Sequence, residues 1–312
     1  MKGVKKTNKN QWGFVLNPIA GNGYAGDILE KVKQIIRDRN LNAEVVLSER
    51  KYHATEIARE FLNKGYDHIV AIGGDGTINE TAQALVNVPD VKFGAVSAGT
   101  GNDFIQILGF SDHFTENDWR IFFEENTIKM DVGVCNGHYF FNGLGIGFDA
   151  EVAAQNYAGE GVVKKGGKNK YLWHIVRTLL MYNEKTMLTT SNGSITETKC
   201  FINTVSNGRR FAAKYFLTPK AIANDGLLDV CSIKELRLFQ RFGIFLQVPT
   251  GAHLENPHVN YYATDKIHIV FPSKMPYHLD GEIFYDSTFD VTILPSNVNI
   301  IYNPYGNHYF MK

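Results

Sequence analysis

The sequence has little of several features that mark whole classes of protein. Its 312 residues carry 32 Lys and Arg against 32 Asp and Glu, and the missing basic excess argues against a general nucleic-acid binder. No apolar run approaches the ~18 residues of a membrane span, and no apolar segment follows the N-terminal lysines as in a secretory signal. Only three, widely spaced cysteines are present, which excludes a disulfide framework or a zinc cluster. These absences predict a cytoplasmic globular protein.

Glycine is the enriched residue type, at about 9% against a usual ~7%, and it gathers after predicted strands. Apolar runs at 12–17, 44–47, 68–72 and 93–97 alternate with segments of helical periodicity at 27–39, 53–63 and 78–87. Strands that alternate with helices across short loops predict a parallel sheet with helices on both faces. Asp27 is the expected N-cap of the first helix.

Beyond about residue 130 the pattern changes to short strands separated by turn residues. Strands are predicted within 131–149 and at 200–206, 228–233, 266–271 and 289–294, with helices at 171–183 and 236–247. We therefore predict an α/β domain over residues 1–129 and a mostly antiparallel, β-sandwich-like domain over 130–296. The C-terminal segment 297–312, with a strand at its start, is expected to return to the first domain.

Three glycine-bearing turns follow predicted parallel strands, at the edge where open α/β sheets bind ligands. They span residues 17–23 (NPIAGNG), 73–80 (GGDGTINE) and 99–104 (GTGNDF). Glycine lets backbone amides approach phosphate oxygens, and a helix that begins after the turn adds the positive end of its dipole. The three turns together predict a phosphate-bearing ligand.

An alternative comes from the first turn alone. Residues 21–26 (GNGYAG) fit the dinucleotide pattern G-x-G-x-x-G, and Glu49 follows the second strand where a ribose-binding acid could lie. That pattern would indicate a nicotinamide-dependent oxidoreductase, but it leaves the other two turns unexplained. The sequence contains no Walker G-x-x-x-x-G-K-[ST] pattern, which excludes a P-loop site.

Five motifs in order resemble those of the diacylglycerol kinase catalytic-domain family of lipid kinases. They are Asn17-Pro18, the two turns at 73–80 and 99–104, the segment from Pro219 to Asp229, and Leu279–Glu282. That family includes sphingosine and ceramide kinases, and it shares the Gly-Gly-Asp-Gly motif with NAD kinases and 6-phosphofructokinases. The resemblance covers the whole chain and implies the two-domain NAD kinase/diacylglycerol kinase-like architecture.

The resemblance also implies ATP and Mg²⁺ as cofactors and assigns site residues. The nucleotide contacts that it implies are Asn17, Pro18, Gly21, Ser48, Gly73, Gly74, Asp75, Gly76, Thr77, Asn79 and Thr100. Asp75 would help to organise magnesium and the phosphates. Asp280 and Glu282 would take the proton of the acceptor hydroxyl and hold that hydroxyl in place, with the division of roles left open. Asp103 would cap the next helix, and Asp131 could join the polar network.

A second, structural metal site is implied at Asp225, with the backbone carbonyls of Ile222 and Leu227 as further oxygen ligands. The chain departs from many relatives nearby, because Ala212-Ala213-Lys214 stands where they have consecutive glycines. Our hypothesis is that Arg209 or Arg210 reaches phosphate or an anionic headgroup instead.

Two segments are candidates for contact with lipid. Residues 164–170 carry four lysines ahead of the aromatic and apolar segment 171–182. This combination suits an anionic interface, but a core helix after a solvated loop is the favoured interpretation. The segment 236–246 is expected to pack in the core. Peripheral membrane contact follows from the resemblance, and self-association is compatible with it.

Diacylglycerol is the first candidate acceptor, with sphingoid bases, ceramide-like lipids and phosphatidylglycerol as alternatives. An NAD kinase is the second interpretation, since the same motifs would serve a ribose hydroxyl. A non-catalytic nucleotide-binding regulator is the third, and the presence of Asp75, Asp280 and Glu282 argues against it.

Overall fold

The computed structural model describes residues 10–155 and 168–311, without the side chains of residues 168–172 and 174. The chain divides into two compact units. Unit 1 comprises Met1–Val132 and Pro295–Lys312, and unit 2 comprises Gly133–Leu294. The sequence predicted domain boundaries at residues 129 and 296. The observed divisions lie within three residues of these positions.

Unit 1 alternates strands and helices along its first hundred residues. Its elements are β1 (Gln11–Leu16), α1 (Tyr24–Asp38), β2 (Asn42–Leu47), α2 (His53–Lys64), β3 (His68–Gly73), α3 (Asp75–Gln83), β4 (Lys92–Ser97), α4 (Asp103–Ile107) and α5 (Glu116–Phe122), followed by β5 (Thr127–Cys135), which leads into unit 2.

The strands of unit 1 pair in parallel in the order β2-β1-β3-β4. Their register aligns Leu16 with Leu47 and Ile72, and Gly73 with Ser97. The carboxyl ends therefore meet at one edge, and each glycine turn begins there. The C-terminal segment adds a further parallel strand, because Asn299 and Ile300 pair with β4.

Helix α1 buries Ile28 and Val32 against unit 1, as its periodicity predicts. The helix begins at Tyr24 after Gly23, whose φ is 99°. Asp27 therefore lies in the first turn and is not the N-cap, so that expectation was wrong. The left-handed backbone of the preceding glycine turn, which the sequence pattern did not show, moves the start of the helix forward.

Unit 2 contains most of the antiparallel strands. Its elements are β6 (His138–Phe140), β7 (Gly143–Gly147), α6 (Phe148–Ala154), α7 (Lys168–Met181), β8 (Lys185–Ser191), β9 (Ser194–Ser206), β10 (Leu228–Lys234), α8 (Leu238–Gln247), β11 (Val259–Thr264), β12 (Lys266–Leu279) and β13 (Glu282–Ile301), whose last residues pass into unit 1. None of the helices in the described part of the chain has the length and apolar character needed to cross a bilayer.

Two long strands shape unit 2. The first half of β9 pairs with β8 and its second half pairs with β7 and β10. Strand β12 pairs with β8 near its start, with β7 at its end, and with β13 in both parts. Strands β8, β9, β7 and β12 thus close a ring around an apolar core that includes Leu144, Val205 and Ile269. A second apolar cluster, with Phe148, Ile233 and Ile244, packs helices α6, α7 and α8 against the sheet.

The sequence analysis missed or misjudged three elements of unit 2. Strands β8 and β11 were not predicted, since their mixed polar sequences lack a clear apolar alternation. The segment 236–246 forms a helix, but it does not pack wholly in the core as expected, because Phe239 is 87% exposed and Leu246 is 78% exposed. The three cysteines are free and buried.

Candidate active site

The three glycine turns of unit 1 pack directly against one another. A Cβ at Gly21 would lie 2.2 Å from the carbonyl oxygen of Ala98, and one at Gly99 would lie 2.6 Å from the Cα of Gly74. Both distances are shorter than a real Cβ contact allows. Glycine is therefore required where the turns meet, because their backbones approach too closely for any side chain.

Polar contacts join the same turns. The side-chain amide of Asn17 donates to Thr77 Oγ1 over 3.2 Å, and this hydrogen bond links the first turn to the second. The carboxylate of Asp75 accepts the backbone N–H of Phe104 over 3.1 Å, which links the second turn to the third. A Cβ at Gly101 would meet Asp75 Oδ2 at 2.9 Å, so the third turn lies along this carboxylate.

Helix α3 starts at the centre of this arrangement. Gly74 precedes its first residue with an extended backbone, and a Cβ at Gly76 would meet nothing within 4 Å. The unsatisfied N–H groups of a helix N-terminus, beside an open glycine surface, suit an anionic group. Gly73 is buried against Thr77, since a Cβ there would lie 2.6 Å from the Thr77 Cβ.

The remaining predicted nucleotide contacts lie around this centre. Pro18 follows Asn17 at the end of β1, and Ser48 follows β2, where its N–H donates to the carbonyl of Leu16 over 2.8 Å. Asn79 lies one turn into α3 and accepts from Gln83, and Thr100 is exposed in the third turn. The structure thus groups the three turns at one edge of the unit 1 sheet.

The two predicted acidic residues of unit 2 lie in and directly after the tight hairpin turn between β12 and β13. Asp280 and Gly281 have φ values of 49° and 91°, and Leu279 pairs with Glu282 across them. Positive φ at both central residues is the mark of a type I′ turn, for which Asp-Gly is a preferred sequence. The motif is therefore the turn that sets the register of two long strands.

Asp280 is held by backbone amides. Its carboxylate accepts the N–H groups of Phe141, Asn142 and Gly143 over 2.7, 2.9 and 2.8 Å. Three converging donors match an ionised carboxylate, which can only accept hydrogen bonds. The contacts fix the side chain against the start of β7, so Asp280 is no solvated turn residue.

A partly buried histidine–carboxylate pair, whose histidine lies two residues before Asp280, was not predicted. His278 Nε2 lies 3.2 Å from Asp149 Oδ2 at the start of α6. A Cβ at Gly145, directly across from His278 in the sheet, would fall within 2.3 Å of both side chains. The glycine-rich sequence of β7 was the signal that could have indicated side chains crossing this strand.

The segment around Asp225 offers only oxygen ligands for a metal. Asp225 accepts the N–H of Leu227 over 3.0 Å, and no cluster of three or more His, Cys, Asp or Glu suited to a metal occurs among the described residues. Burial raises the pKa of Asp225, and burial together with the charge of Asp225 raises the pKa of Asp229 despite a hydrogen bond from Tyr261. A divalent cation would stabilise both carboxylates, so the donor set fits magnesium.

The loop that departs from the family pattern keeps a glycine-like backbone. Ala212 and Ala213 have φ values of 49° and 68°, in the left-handed region that disfavours residues with a Cβ. Arg209 Nε donates to the carbonyl oxygen of Ala221 over 2.7 Å, and the carbonyl of Arg210 accepts the side-chain amide of Asn142. The loop is thus tied to the Pro219–Ala221 segment.

Three further sequence predictions concern Asp103, Asp131 and the basic loop. Asn102, and not Asp103, is the N-cap of α4, with φ of 54°. Asp131 is fully buried and accepts the N–H of Ser296 over 2.6 Å, which fixes the chain as it re-enters unit 1. Of the basic loop at 164–170, residues 164–167 lie outside the described residues, and residues 168–170 form the start of α7.

With this geometry established, comparison with known proteins identifies the family. Residues 11–135 match the diacylglycerol kinase catalytic domain, and residues 143–302 match the YegS C-terminal NAD kinase beta sandwich-like domain. The chain therefore belongs to the diacylglycerol kinase and YegS-like lipid kinase family, whose members are ATP-using phosphotransferases with an alcohol group as acceptor. The predicted resemblance, including the β-sandwich-like second domain, is confirmed.

Relatives match along most of their length. A "Diacylglycerol kinase" of Bacillus subtilis (strain 168) is 25% identical over 281 residues, covering 86% of this chain and 88% of the relative. A "Probable lipid kinase YegS-like" of Shewanella frigidimarina (strain NCIMB 400) is 23% identical over 273 residues, covering 86% and 87%. The crystal structure of a diacylglycerol kinase from Bacillus anthracis str. Sterne has a TM-score of 0.73 at 21% identity, covering 96% of this chain and 99% of that one, and supports the fold.

Proposed function

We propose that this protein transfers the γ-phosphoryl group of ATP to the hydroxyl of a membrane lipid, with diacylglycerol as the first candidate acceptor. The observation that carries the proposal is the packing of three glycine turns, with direct backbone approach at Gly21 and Gly99, around the N-terminus of α3. Such a surface presents backbone N–H groups to phosphate. The family membership supports a lipid as acceptor.

In this proposal the turns bind the triphosphate. Gly74 and Gly76 let the phosphates approach the first amides of α3, and Asn17, Gly21 and Thr77 complete the polar surface. Asp75 is the first residue of α3 and accepts the Phe104 N–H, and in this proposal its carboxylate helps to hold Mg²⁺ and the phosphates. When bound, Mg²⁺ would neutralise phosphate charge during transfer. Pro18, Ser48, Gly73, Asn79 and Thr100 complete the proposed nucleotide contacts.

Asp280 and Glu282 act on the acceptor. The hydroxyl proton passes to one of these carboxylates as the hydroxyl oxygen bonds to the γ-phosphorus, and the bond from that phosphorus to the β–γ bridging oxygen breaks to release ADP. Asp280, held by three amides, provides a fixed direction for the hydroxyl hydrogen bond. Glu282 begins β13 directly after the turn and supplies the second carboxylate.

Asp225 is proposed to hold a second, structural Mg²⁺ with the carbonyls of Ile222 and Leu227. The raised pKa values of Asp225 and Asp229 support this assignment, since a bound cation removes the cost of two like charges, one half-buried and one buried. This Mg²⁺ would hold the loop in place and would take no part in phosphoryl transfer.

A labelled-ATP transfer assay tests the function. Purified protein is given γ-labelled ATP, Mg²⁺ and one acceptor at a time from a panel of diacylglycerol, a sphingoid base, ceramide, phosphatidylglycerol and NAD, and the products are separated by solvent partition. We expect label in the organic phase, highest with diacylglycerol. Label in aqueous NAD alone would support the NAD kinase interpretation and refute the lipid assignment.

A second arm separates the regulator interpretation. Transfer to no acceptor by wild-type protein that still binds ATP would indicate a nucleotide-binding regulator. Asp280→Asn protein serves as the matched control, since any label that it transfers at the wild-type rate arises from a contaminating kinase.

A further inference from the structure

The histidine–carboxylate pair of unit 2 has no role in the transfer described above, and each of its members keeps one polar atom without a partner. His278 is 8% exposed, yet its Nδ1 makes no hydrogen bond to any of the described residues. The same holds, within the described part of the chain, for Oδ1 of Asp149. Buried polar atoms are nearly always hydrogen-bonded, and one left unpaired is destabilising. The pair is therefore a candidate for binding a further polar group.

The contact within the pair decides which atom faces such a group. His278 Nε2 lies 3.2 Å from Asp149 Oδ2, so Nε2 carries a proton and donates. In the imidazolium form, which makes an ion pair with this carboxylate, Nδ1 is a second donor. The Asp149 side chain is 20% exposed, so the pair can be reached from solvent. A cationic N–H held in a fixed direction suits an oxygen atom that accepts hydrogen bonds.

The pair lies on β7 beside the Asp280 turn. A Cβ at Gly145 would fall 2.2 Å from His278 Nε2, so the imidazole crosses β7 where no side chain intervenes. Asp280 accepts the N–H of Gly143, and residues two apart in a strand are about 7 Å apart. Phe211 packs against both positions, since a Cβ at Gly143 would lie 2.5 Å from its ring and its ring centroid lies 6.1 Å from that of His278. His278 and Asp280 therefore belong to one local site.

We propose that His278 is a specificity-determining residue, whose Nδ1–H binds an ester carbonyl of the lipid acceptor. This proposal rests on the proposed function, because it concerns the lipid whose hydroxyl is phosphorylated. In diacylglycerol the polar groups next to the free hydroxyl are two esters, whose carbonyl oxygens accept hydrogen bonds and cannot donate them. Asp280 would receive the hydroxyl, while His278, oriented by Asp149, would hold the neighbouring carbonyl. The headgroup would then be fixed at two points.

Two substitutions separate carbonyl binding from a purely structural contact between β12 and α6. His278→Asn places an amide near the position of Nδ1 and removes the group at Nε2. His278→Gln places an amide near Nε2, where it can still reach Asp149, and removes the group at Nδ1. His268→Gln is the matched control, because His268 lies in the same strand and is paired with a carboxylate, that of Asp290, at an exposed position.

Isothermal titration calorimetry measures the binding of dihexanoylglycerol and of its diether analogue, dihexylglycerol, both dispersed as monomers. The two compounds share the free hydroxyl and differ in the carbonyl groups. We expect wild-type protein to bind the diester about tenfold more tightly, which is the effect of one hydrogen bond from a charged donor.

The variants should change this preference in a set order. His278→Gln should weaken diester binding about tenfold, leave diether binding unchanged and keep the wild-type thermal midpoint, because only the Nδ1 donor is lost. His278→Asn should keep most of the preference, and His268→Gln should bind both compounds as wild type does.

Several results would overturn the proposal. They are equal affinity of wild-type protein for the two compounds, binding of neither compound, and a diester preference that His278→Gln retains. A larger loss of diester binding in His278→Asn than in His278→Gln, with a lower thermal midpoint, would show that the histidine only joins β12 to α6. Failure of the proposed function gives a different result: the diester preference and its loss in His278→Gln are observed, while labelled ATP phosphorylates no lipid.

Discussion

The two units form their candidate sites by opposite means. In unit 1 the turns meet because side chains are missing, with Gly21, Gly74 and Gly99 allowing backbone to touch backbone. In unit 2 the Asp280 turn is held because a side chain is present, and its carboxylate gathers three amides. Adding a side chain at a glycine turn should therefore disturb the candidate site of unit 1. Losing the single carboxylate of Asp280 should disturb that of unit 2.

The largest effect is expected in unit 2, from Asp280→Asn. The amide offers one acceptor oxygen to three N–H groups and cannot take a proton from the acceptor hydroxyl, so we expect kcat to fall about 100- to 10,000-fold. Asp286→Asn is the control, since Asp286 also accepts a hydrogen bond on β13, from Asn136, yet has no proposed role in transfer. Steady-state kinetics would contradict the assignment if both variants lost activity equally.

In unit 1 a pair of glycine variants separates packing from binding. Gly99→Ala places a Cβ 2.6 Å from the backbone of Gly74, so the turns must move apart, at a cost of about 1–3 kcal/mol. Gly76→Ala meets nothing within 4 Å and should keep or raise the thermal midpoint, while its methyl group raises the KM for ATP. Equal thermal midpoints for the two variants would show that close packing does not require Gly99.

A third prediction concerns acid stability at the opposite end of the unit 1 strands. Burial would raise the pKa of Glu125, but hydrogen bonds from Lys92 and from His68, 3.0 Å away, outweigh it and leave the pKa lowered. A lowered carboxylate pKa contributes stability that is present above the unfolded-state pKa and is lost as the pH falls through the folded-state pKa.

Glu125→Gln should therefore reduce the free energy of unfolding by about 1 kcal/mol at neutral pH, because partial exposure lets solvent screen the pair. The difference from wild type should shrink as the pH falls below 4.5, the ordinary pKa of glutamate, and vanish only below the lowered pKa of folded Glu125, where the wild-type carboxylate is protonated. Urea denaturation at several pH values measures it, and a difference that grows on acidification would contradict the sign.

The smallest effect is expected from Ala213→Gly. The left-handed backbone at φ 68° costs alanine about 1–2 kcal/mol, whereas glycine costs about 0.5–1 kcal/mol more in the unfolded chain. We expect a net gain of up to about 1 kcal/mol in the free energy of unfolding. Ala221→Gly, at a buried residue outside the left-handed region, should instead destabilise, and denaturant titration compares the two.

The repeated glycine turns and the alternation of apolar runs were enough to predict the parallel sheet and the edge at which the three turns meet, where we propose that the nucleotide binds. Both depend on local patterns: the period of burial and the need for φ freedom are visible in consecutive residues. The His278–Asp149 pair could not be predicted, because 129 residues separate its members and only the pairing of β7 with β12 brings them together.

Helix α8 also shows what could not be predicted from the sequence, in this case which of its faces is buried. Its apolar residues predicted burial, but composition does not say which face a neighbouring helix covers. The Arg241 contacts with the end of α7 orient the helix and leave Phe239 and Leu246 outside.

By itself, the order of residues determined the fold class and the three turns, since each is written in short-range spacing. The acidic pair, Asp280 and Glu282, was assigned from the family resemblance and stays a prediction. Tertiary structure alone decided which backbones touch at Gly21 and Gly99, which amides hold Asp280, and which apolar faces stay in solvent. The physical reason is that these contacts join residues far apart in the chain, whose approach depends on how strands pair and helices pack.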